Sequence, residues 1–152
     1  MGPFHLKSAR SLAAIVNRRA FPPLMSAERT ESILEITRRD GRYSPQAYYF
    51  IFDALDYTIQ RMRKMRHVTG RELLEGVRAY ATETFGFLAR TVLAEWGITR
   101  TDDFGEIVFN LVDAGLLSRT EKDTRAEFQN VYDFEEAFGQ EFQRALENVT
   151  LA

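Results

Sequence analysis

Apolar residues recur every three or four positions along most of this chain, and cap and breaker residues divide that pattern into short segments. The strongest pattern lies in residues 45–66 and carries a stripe of apolar and small residues: Ala47, Phe50, Ile51, Ala54, Leu55, Thr58, Ile59, Met62 and Met65. Ser44 suits the N-cap, and Pro45 suits the first helical position because its missing N–H leaves no hydrogen bond unmade there. This spacing predicts a helix over 45–66 and restricts the chain to a mainly helical fold.

Similar signals predict five further helices. Thr69-Gly70-Arg71-Glu72 has the form of a capping box, in which a hydroxyl and a carboxylate satisfy the first backbone N–H groups of a helix. Gly97 and Gly115 suit the left-handed residue that ends many helices. The predicted helices cover residues 28–39, 70–83, 87–96, 103–114 and 134–147.

The helical period is interrupted at residues 116–132. Positions 126 to 132 alternate in the period of two that a strand requires, after a polar turn at Lys122-Asp123. We therefore expect one small C-terminal β-hairpin. Placed after the helices over 87–96 and 103–114, it predicts a C-terminal half like a winged helix-turn-helix, within a mainly α fold of about six helices.

The first residues differ from the rest of the chain. Residues 1–24 carry four basic and no acidic residues and end in Phe21-Pro22-Pro23-Leu24, which breaks a helix. A targeting leader is one interpretation. The interpretation we prefer is a basic arm that is disordered or lies upstream of a true start at Met25. Residues 25–152 then form a single globular, α-rich domain.

Composition excludes several classes of protein. Because there is no Cys, disulfides, thiolate metal sites and cysteine nucleophiles are excluded, and a reducing, cytoplasmic location is expected. No apolar run approaches the roughly 20 residues of a membrane helix, so we expect no membrane association. Apolar residues make up 45% and charged residues 28%, as in ordinary globular proteins.

The C-terminal part of the chain is acidic. Residues 98–152 contain five basic and twelve acidic residues, and no Lys or Arg lies between Thr101 and Ser118. Phosphates would repel such a recognition helix, so DNA is an unlikely partner. We expect this helix to contact another protein through a polar set of residues: Asp102, Asp103, Glu106, Asn110 and Asp113.

The densest basic cluster lies at the end of the second predicted helix. It consists of Arg61, Arg63, Lys64 and Arg66, followed by Arg71. Such a cluster can contact the phosphates of RNA or of the ribosome. The alternative is a solvated helix end, where positive charge complements the helix dipole.

No catalytic or metal-binding pattern is present in the sequence. His67 is the one His after residue 5, and neither a His-x-x-x-His nor a Gly-x-Ser-x-Gly motif occurs. Asp53 and Asp56 lie three positions apart but lack the Glu-x-x-His motifs of a carboxylate-bridged metal site. We therefore predict no catalytic residue, metal or cofactor, and no enzymatic activity.

Four phrases of the chain resemble a small family of bacterial proteins known mainly from planctomycetes and verrucomicrobia. They are residues 48–57 (YYFIFDALDY), 67–80 (HVTGRELLEGVRAY), 85–117 and 125–138 (RAEFQNVYDFEEAF). The resemblance spans about residues 28–140 and leaves out residues 1–24, which favours Met25 as the start. The family has no assigned activity, so the resemblance implies neither a function nor site residues.

These observations favour a small, non-catalytic protein-interaction or regulatory module whose partner is another protein. The alternative is an RNA- or ribosome-associated protein that docks through the basic end of the second helix.

Overall fold

Helices make up most of the chain in a computed structural model, which describes residues 5–6, 23–62 and 67–151. The six α-helices of these residues are α1 (Pro23–Arg39), α2 (Pro45–Met62), α3 (Gly70–Phe85), α4 (Ala89–Glu95), α5 (Thr101–Asp113) and α6 (Phe134–Leu151). The same residues contain two short 3-10 helices, at Gly86–Leu88 and Arg125–Phe128. Two strands of two residues each, β1 (His5–Leu6) and β2 (Leu117–Ser118), pair in antiparallel fashion. The mainly helical class is confirmed.

Helix α2 lies at the centre of the core and packs against α1, α3 and α5. Most of the predicted stripe is buried, including Phe50, Ile51 and Leu55. Met62 is an exception, because its side chain keeps 40% of its surface exposed at the end of the helix. Ser44 directly precedes the helix, as predicted for the N-cap, but its Oγ is buried and has no hydrogen-bond partner among the described residues, so its side chain does not cap the helix.

Helices α2 and α3 approach each other closely at one position. Gly76 on α3 faces Thr58 on α2, and a Cβ atom added at Gly76 would overlap the Oγ1 of Thr58. The Thr58 hydroxyl donates to the carbonyl of Ala54, 2.7 Å away, so it is satisfied within its own helix. The absence of a side chain at Gly76 therefore sets the distance between these two helices.

The predicted capping box of α3 is confirmed. The Thr69 hydroxyl accepts a hydrogen bond from the N–H of Glu72 at 3.1 Å. In return, the Glu72 carboxylate accepts one from the N–H of Thr69 at 2.9 Å. These two bonds satisfy backbone donors that would otherwise lack a partner at the start of the helix.

A tight turn joins α4 to α5. Gly97 has φ +92°, and the N–H of Ile98 donates to the carbonyl of Leu93 at 2.8 Å, which closes α4 as the sequence predicted. Helix α5 then begins at Thr101, two residues earlier than expected. The reason is Asp103, whose carboxylate accepts hydrogen bonds from backbone N–H groups that precede the helix.

The predicted C-terminal hairpin is not found among the described residues. Strand β2 pairs with β1, and the segment expected to form the second strand contains the 3-10 helix Arg125–Phe128 instead. Phe128 is fully buried: a Cβ at Gly105 would lie 2.8 Å from its Cβ, and one at Gly70 3.0 Å from its Cε2. The insertion of the Phe128 ring between these two glycines fixes the backbone around it, so the strand predicted from the alternating pattern was wrong. The winged-helix-like arrangement is accordingly not confirmed.

Several boundaries differ from those predicted. Helix α1 begins at Pro23 instead of residue 28, and the predicted fourth helix is divided into a 3-10 turn and α4. The end of the second predicted helix, residues 63–66, lies outside the described residues. Most of the predicted arm over 1–24 also lies outside them, so its exclusion from the domain at 25–152 stays a prediction.

A Gly76→Ala substitution tests the contact between α2 and α3, because it has two opposite effects on the stability of the fold. An exposed helical Gly→Ala change stabilises a helix by up to about 1 kcal/mol. At Gly76 the added methyl collides with Thr58, and overpacking of this kind costs about 1–3 kcal/mol. We therefore expect Gly76→Ala to lose about 1–2 kcal/mol on balance and to lower Tm by about 2–8 °C in a thermal melt monitored by circular dichroism.

Gly139 on α6 is the matched control. A Cβ there meets only the end of the flexible Glu135 side chain. We expect Gly139→Ala to leave Tm unchanged or to raise it. An unchanged or raised Tm for Gly76→Ala would contradict the packing described here.

Candidate functional site

The acidic residues at the start of α5 are held by partners inside the molecule. Asp102 accepts a hydrogen bond from the N–H of Asn130 at 2.9 Å and forms an ion pair with Arg100 at 2.9 Å. Asp103 accepts one from the hydroxyl of Tyr43 at 2.6 Å. These carboxylates therefore fix the turn before α5 and the segment after Phe128 in place.

Glu106, one turn further along α5, connects two arginines from distant parts of the chain. Its oxygens lie 3.2 Å from Arg42 Nη2 and 2.8 Å from Arg125 Nε. Arg42 also pairs with Asp40 at 2.7 Å, and Asn110 donates to the same Asp40 carboxylate at 3.0 Å. The network joins the loop between α1 and α2 to α5 and to the second 3-10 helix.

The predicted interaction set is thus mostly engaged within the protein. Asp102, Asp103, Glu106 and Asn110 each have the partners named above. Asp113 differs, because it is exposed and no hydrogen bond or ion pair joins its side chain to the rest of the described chain. A small cleft of about 260 Å³ remains, and its walls are three arginines, three carboxylates and one amide: Arg42, Arg100, Asp102, Asp103, Glu106, Arg125 and Gln129.

The predicted basic cluster is described only at its two ends. Arg61 lies in the last turn of α2, and Arg71 lies in the first turn of α3. Both are exposed and both line the same cleft. Arg63, Lys64 and Arg66 fall within residues 63–66, outside the described residues.

That cleft has a volume of about 800 Å³ and lies between α2, α3 and α6. The end of α2 contributes Tyr57 and Met62, and the start of α6 contributes Glu136 and Ala137. One face of α3 forms the longest wall, with residues about one turn apart: Arg71, Glu75, Arg78, Ala79 and Thr82. The cleft is lined by apolar side chains such as Met62 and Ala137 together with charged ones.

Tyr57 ties α2 to α3 at this cleft. Its hydroxyl donates to the Glu83 carboxylate at 2.7 Å and accepts from Arg61 at 3.2 Å. Its ring lies 5.3 Å from the ring of Tyr80, centroid to centroid. The hydrogen bond to Glu83 raises the pKa of the Tyr57 phenol, and burial adds to this, so the hydroxyl stays a donor at neutral pH.

The charges in the cleft are not all paired. Arg61 and Glu83 share Tyr57, and the guanidinium of Arg78 lies 5.6 Å from the centre of the Tyr132 ring. In contrast, no hydrogen bond or ion pair to another described residue involves the side chains of three residues: Arg71, Glu75 and Glu136. These three groups are therefore available to an incoming molecule.

The sequence indicates Arg61 and Arg71 as candidate contact residues but does not indicate that they line a cleft. The α3 positions 71, 75, 78, 79 and 82 do follow helical spacing, and their mixture of charges with small residues marks an open polar face. Nothing in that spacing indicates that Tyr57 and Glu136 lie across from it. The long-range pair of Arg42 and Glu106 is equally invisible in the sequence.

Neither a metal site nor a membrane span is found in the part of the chain that the structure describes. No group of three or more His, Asp or Glu residues there is placed to hold a metal ion. None of the helices in that part combines the length and the apolar character needed to cross a bilayer.

Comparison with known proteins gave no match: no family model, curated protein or solved structure matches this chain.

Asp40, which belongs to the network around Glu106, makes the stability of the fold fall at acid pH. The hydrogen bond from Arg42 holds the pKa of Asp40 well below its ordinary value of 3.8, with Asn110 also contributing against the effect of burial. Because the folded state depresses this pKa, the stabilisation is complete above about pH 5. It is lost as the pH falls below about 4 towards the pKa of the folded state.

We therefore expect Asp40→Asn to lower Tm at pH 7 by about 2–4 °C, equivalent to about 1 kcal/mol, a modest value because Arg42 is half exposed. The difference between the variant and the wild type should shrink between pH 5 and pH 2. Melting curves across this range provide the measurement. Asp113→Asn is the control and should change Tm little at any pH, whereas a constant Asp40→Asn difference down to pH 2 would contradict this assignment.

Proposed function

We propose that this protein is a non-catalytic interaction module that binds a segment of another protein in the cleft between α2, α3 and α6. The observation that carries the proposal is the cleft itself. Its volume of about 800 Å³ lies within the range of sites that bind ligands. Met62, exposed at its edge, and Ala79 and Ala137 within it offer apolar contact area for a partner.

The charges of the cleft favour a protein over a nucleic acid. Four glutamates line it against three arginines: Glu72, Glu75, Glu83 and Glu136 against Arg61, Arg71 and Arg78. A phosphate backbone gains affinity from an excess of basic residues and is repelled by carboxylates. A polypeptide carries both signs of charge together with apolar side chains, so it suits this lining better.

The acidic residues of α5 keep a smaller role in this proposal. Asp102, Asp103 and Glu106 already have intramolecular partners, and breaking those contacts would offset what a new partner contributes. Asp113 stays exposed and extends the acidic surface. We propose that α4, the turn at Gly97 and α5 form a helix-turn-helix scaffold, winged-helix-like in order, that supports the core instead of reading DNA.

A second candidate function is the binding of RNA. One observation favours it: Arg61 and Arg71, from two different helices, line one cleft at the two ends of the predicted basic cluster. We also propose that the chain belongs to the small bacterial family it resembles and that it is cytoplasmic. Both statements fit either function.

Filling the cleft should abolish capture of the partner. Ala79 is half-buried in the α3 wall, so Ala79→Arg places a long charged side chain inside the cleft without touching the core. We expect the full chain to enrich a partner protein from the native lysate, and Ala79→Arg to reduce that enrichment at least tenfold in quantitative mass spectrometry.

Ala94→Arg on α4 is the matched control, because Ala94 is exposed and does not line the cleft. It should capture the partner as the wild type does, and all three proteins should melt within about 2 °C of one another. Equal capture by Ala79→Arg would place the binding surface elsewhere. Capture that nuclease treatment abolishes, and that falls steeply with salt, would favour RNA instead.

A further inference from the structure

Two unpaired charges of opposite sign lie one helical turn apart on the α3 wall of the cleft. Arg71 and Glu75 are four positions apart, so their side chains emerge from the same face of the helix. Both are exposed, and neither forms a hydrogen bond or ion pair with another described residue. Glu136, at the start of α6, adds a second unpaired carboxylate to the same cleft.

The remaining charges of the cleft are engaged. Glu72 caps α3 through the N–H of Thr69, and Arg78 lies over the ring of Tyr132. Arg61 and Glu83 both bond to the hydroxyl of Tyr57. An incoming segment therefore meets one cation at Arg71 and carboxylates at Glu75 and Glu136 that form no hydrogen bond or ion pair with another described residue.

We propose that the cleft selects an amphipathic helical segment that carries both signs of charge. Its carboxylate pairs with Arg71, and its Lys or Arg, about one turn away, pairs with Glu75 and Glu136. Its apolar face packs on Met62 and Ala79. This inference rests on the proposed function and names the chemistry of the partner.

The spacing of the charges supports a helix as the occupant. Residues one turn apart on a helix are separated by about 6 Å along its axis, and Arg71 and Glu75 have the same separation. A helix that lies along α3 can therefore meet both charges with side chains three or four positions apart, while its apolar stripe packs on Met62 and Ala79.

The paired charges act mainly on specificity. A uniformly acidic segment is repelled by Glu75 and Glu136, and a uniformly basic one is repelled by Arg71. Juxtaposed like charges discriminate strongly against wrong partners, whereas exposed pairs add little to affinity by themselves. The cleft thus rejects both classes and accepts a segment of mixed charge.

A charge-reversal experiment tests this inference without knowledge of the natural partner. A phage-displayed library of random 16-residue peptides is selected on the full chain. The Kd values of synthetic copies of the enriched peptides are then measured by fluorescence anisotropy. We expect the enriched peptides to combine apolar residues with an acid and a base three or four positions apart.

Reversal of the two charges should reverse the preference. In the double variant Arg71→Glu/Glu75→Arg, the selected peptides should bind at least tenfold more weakly, and peptides with their own acid and base exchanged should regain at least threefold. The control is Glu35→Arg/Arg38→Glu, which exchanges an exposed ion pair on α1 away from the cleft. It should change the Kd by less than twofold.

Failure of this inference is distinguishable from failure of the proposed function. Peptides that bind the wild type but not Ala79→Arg, yet ignore the reversal at Arg71 and Glu75, keep the cleft as the binding site and overturn the charge selection. Enriched peptides of one charge sign overturn it as well. A third outcome overturns both the inference and the proposed function. In it, no selected peptide loses its binding in Ala79→Arg, and the chain binds a mixed-sequence RNA oligonucleotide instead.

Discussion

The contact of Thr58 with Gly76 is the constraint on which the arrangement of α2, α3 and the cleft depends. Because Gly76 has no side chain, α3 approaches α2 closely at Thr58, and the neighbouring α3 residues Leu73, Leu74 and Val77 are fully buried. The same approach brings Tyr57 within hydrogen-bond distance of Glu83. A larger separation would weaken both the core and the tyrosine contact, so the absence of one methyl group at Gly76 affects the core and the cleft together.

Electrostatic contacts organise the other side of the domain. Helix α5 carries four acidic residues, yet three of them satisfy backbone donors, Tyr43 or arginines from other segments. The acids therefore serve the fold first, by fixing the loop between α1 and α2 and the segment around Phe128. On α5 only Asp113 lacks such a contact among the described residues, whereas the unpaired charges of the cleft, Arg71, Glu75 and Glu136, lie on α3 and α6.

The candidate site was only partly predictable from the sequence. The sequence indicates the helical spacing on α3 and the basic residues Arg61 and Arg71. Which acids are neutralised is decided by contacts such as that of Glu106 with Arg42, 64 positions away. Charge counts along the sequence predicted an acidic interaction face on α5, whereas the side-chain contacts account for most of those charges internally.

The sequence by itself determined the helices, because local spacing, capping at Thr69 and the left-handed turn at Gly97 act over a few residues. The tertiary structure alone decided the segment around Phe128. There an alternating pattern indicated a strand, but burial of one aromatic ring between Gly70 and Gly105 produced a 3-10 helix. It likewise decided which charges remain unpaired. Both outcomes depend on partners distant in sequence, whose positions only the folded chain defines.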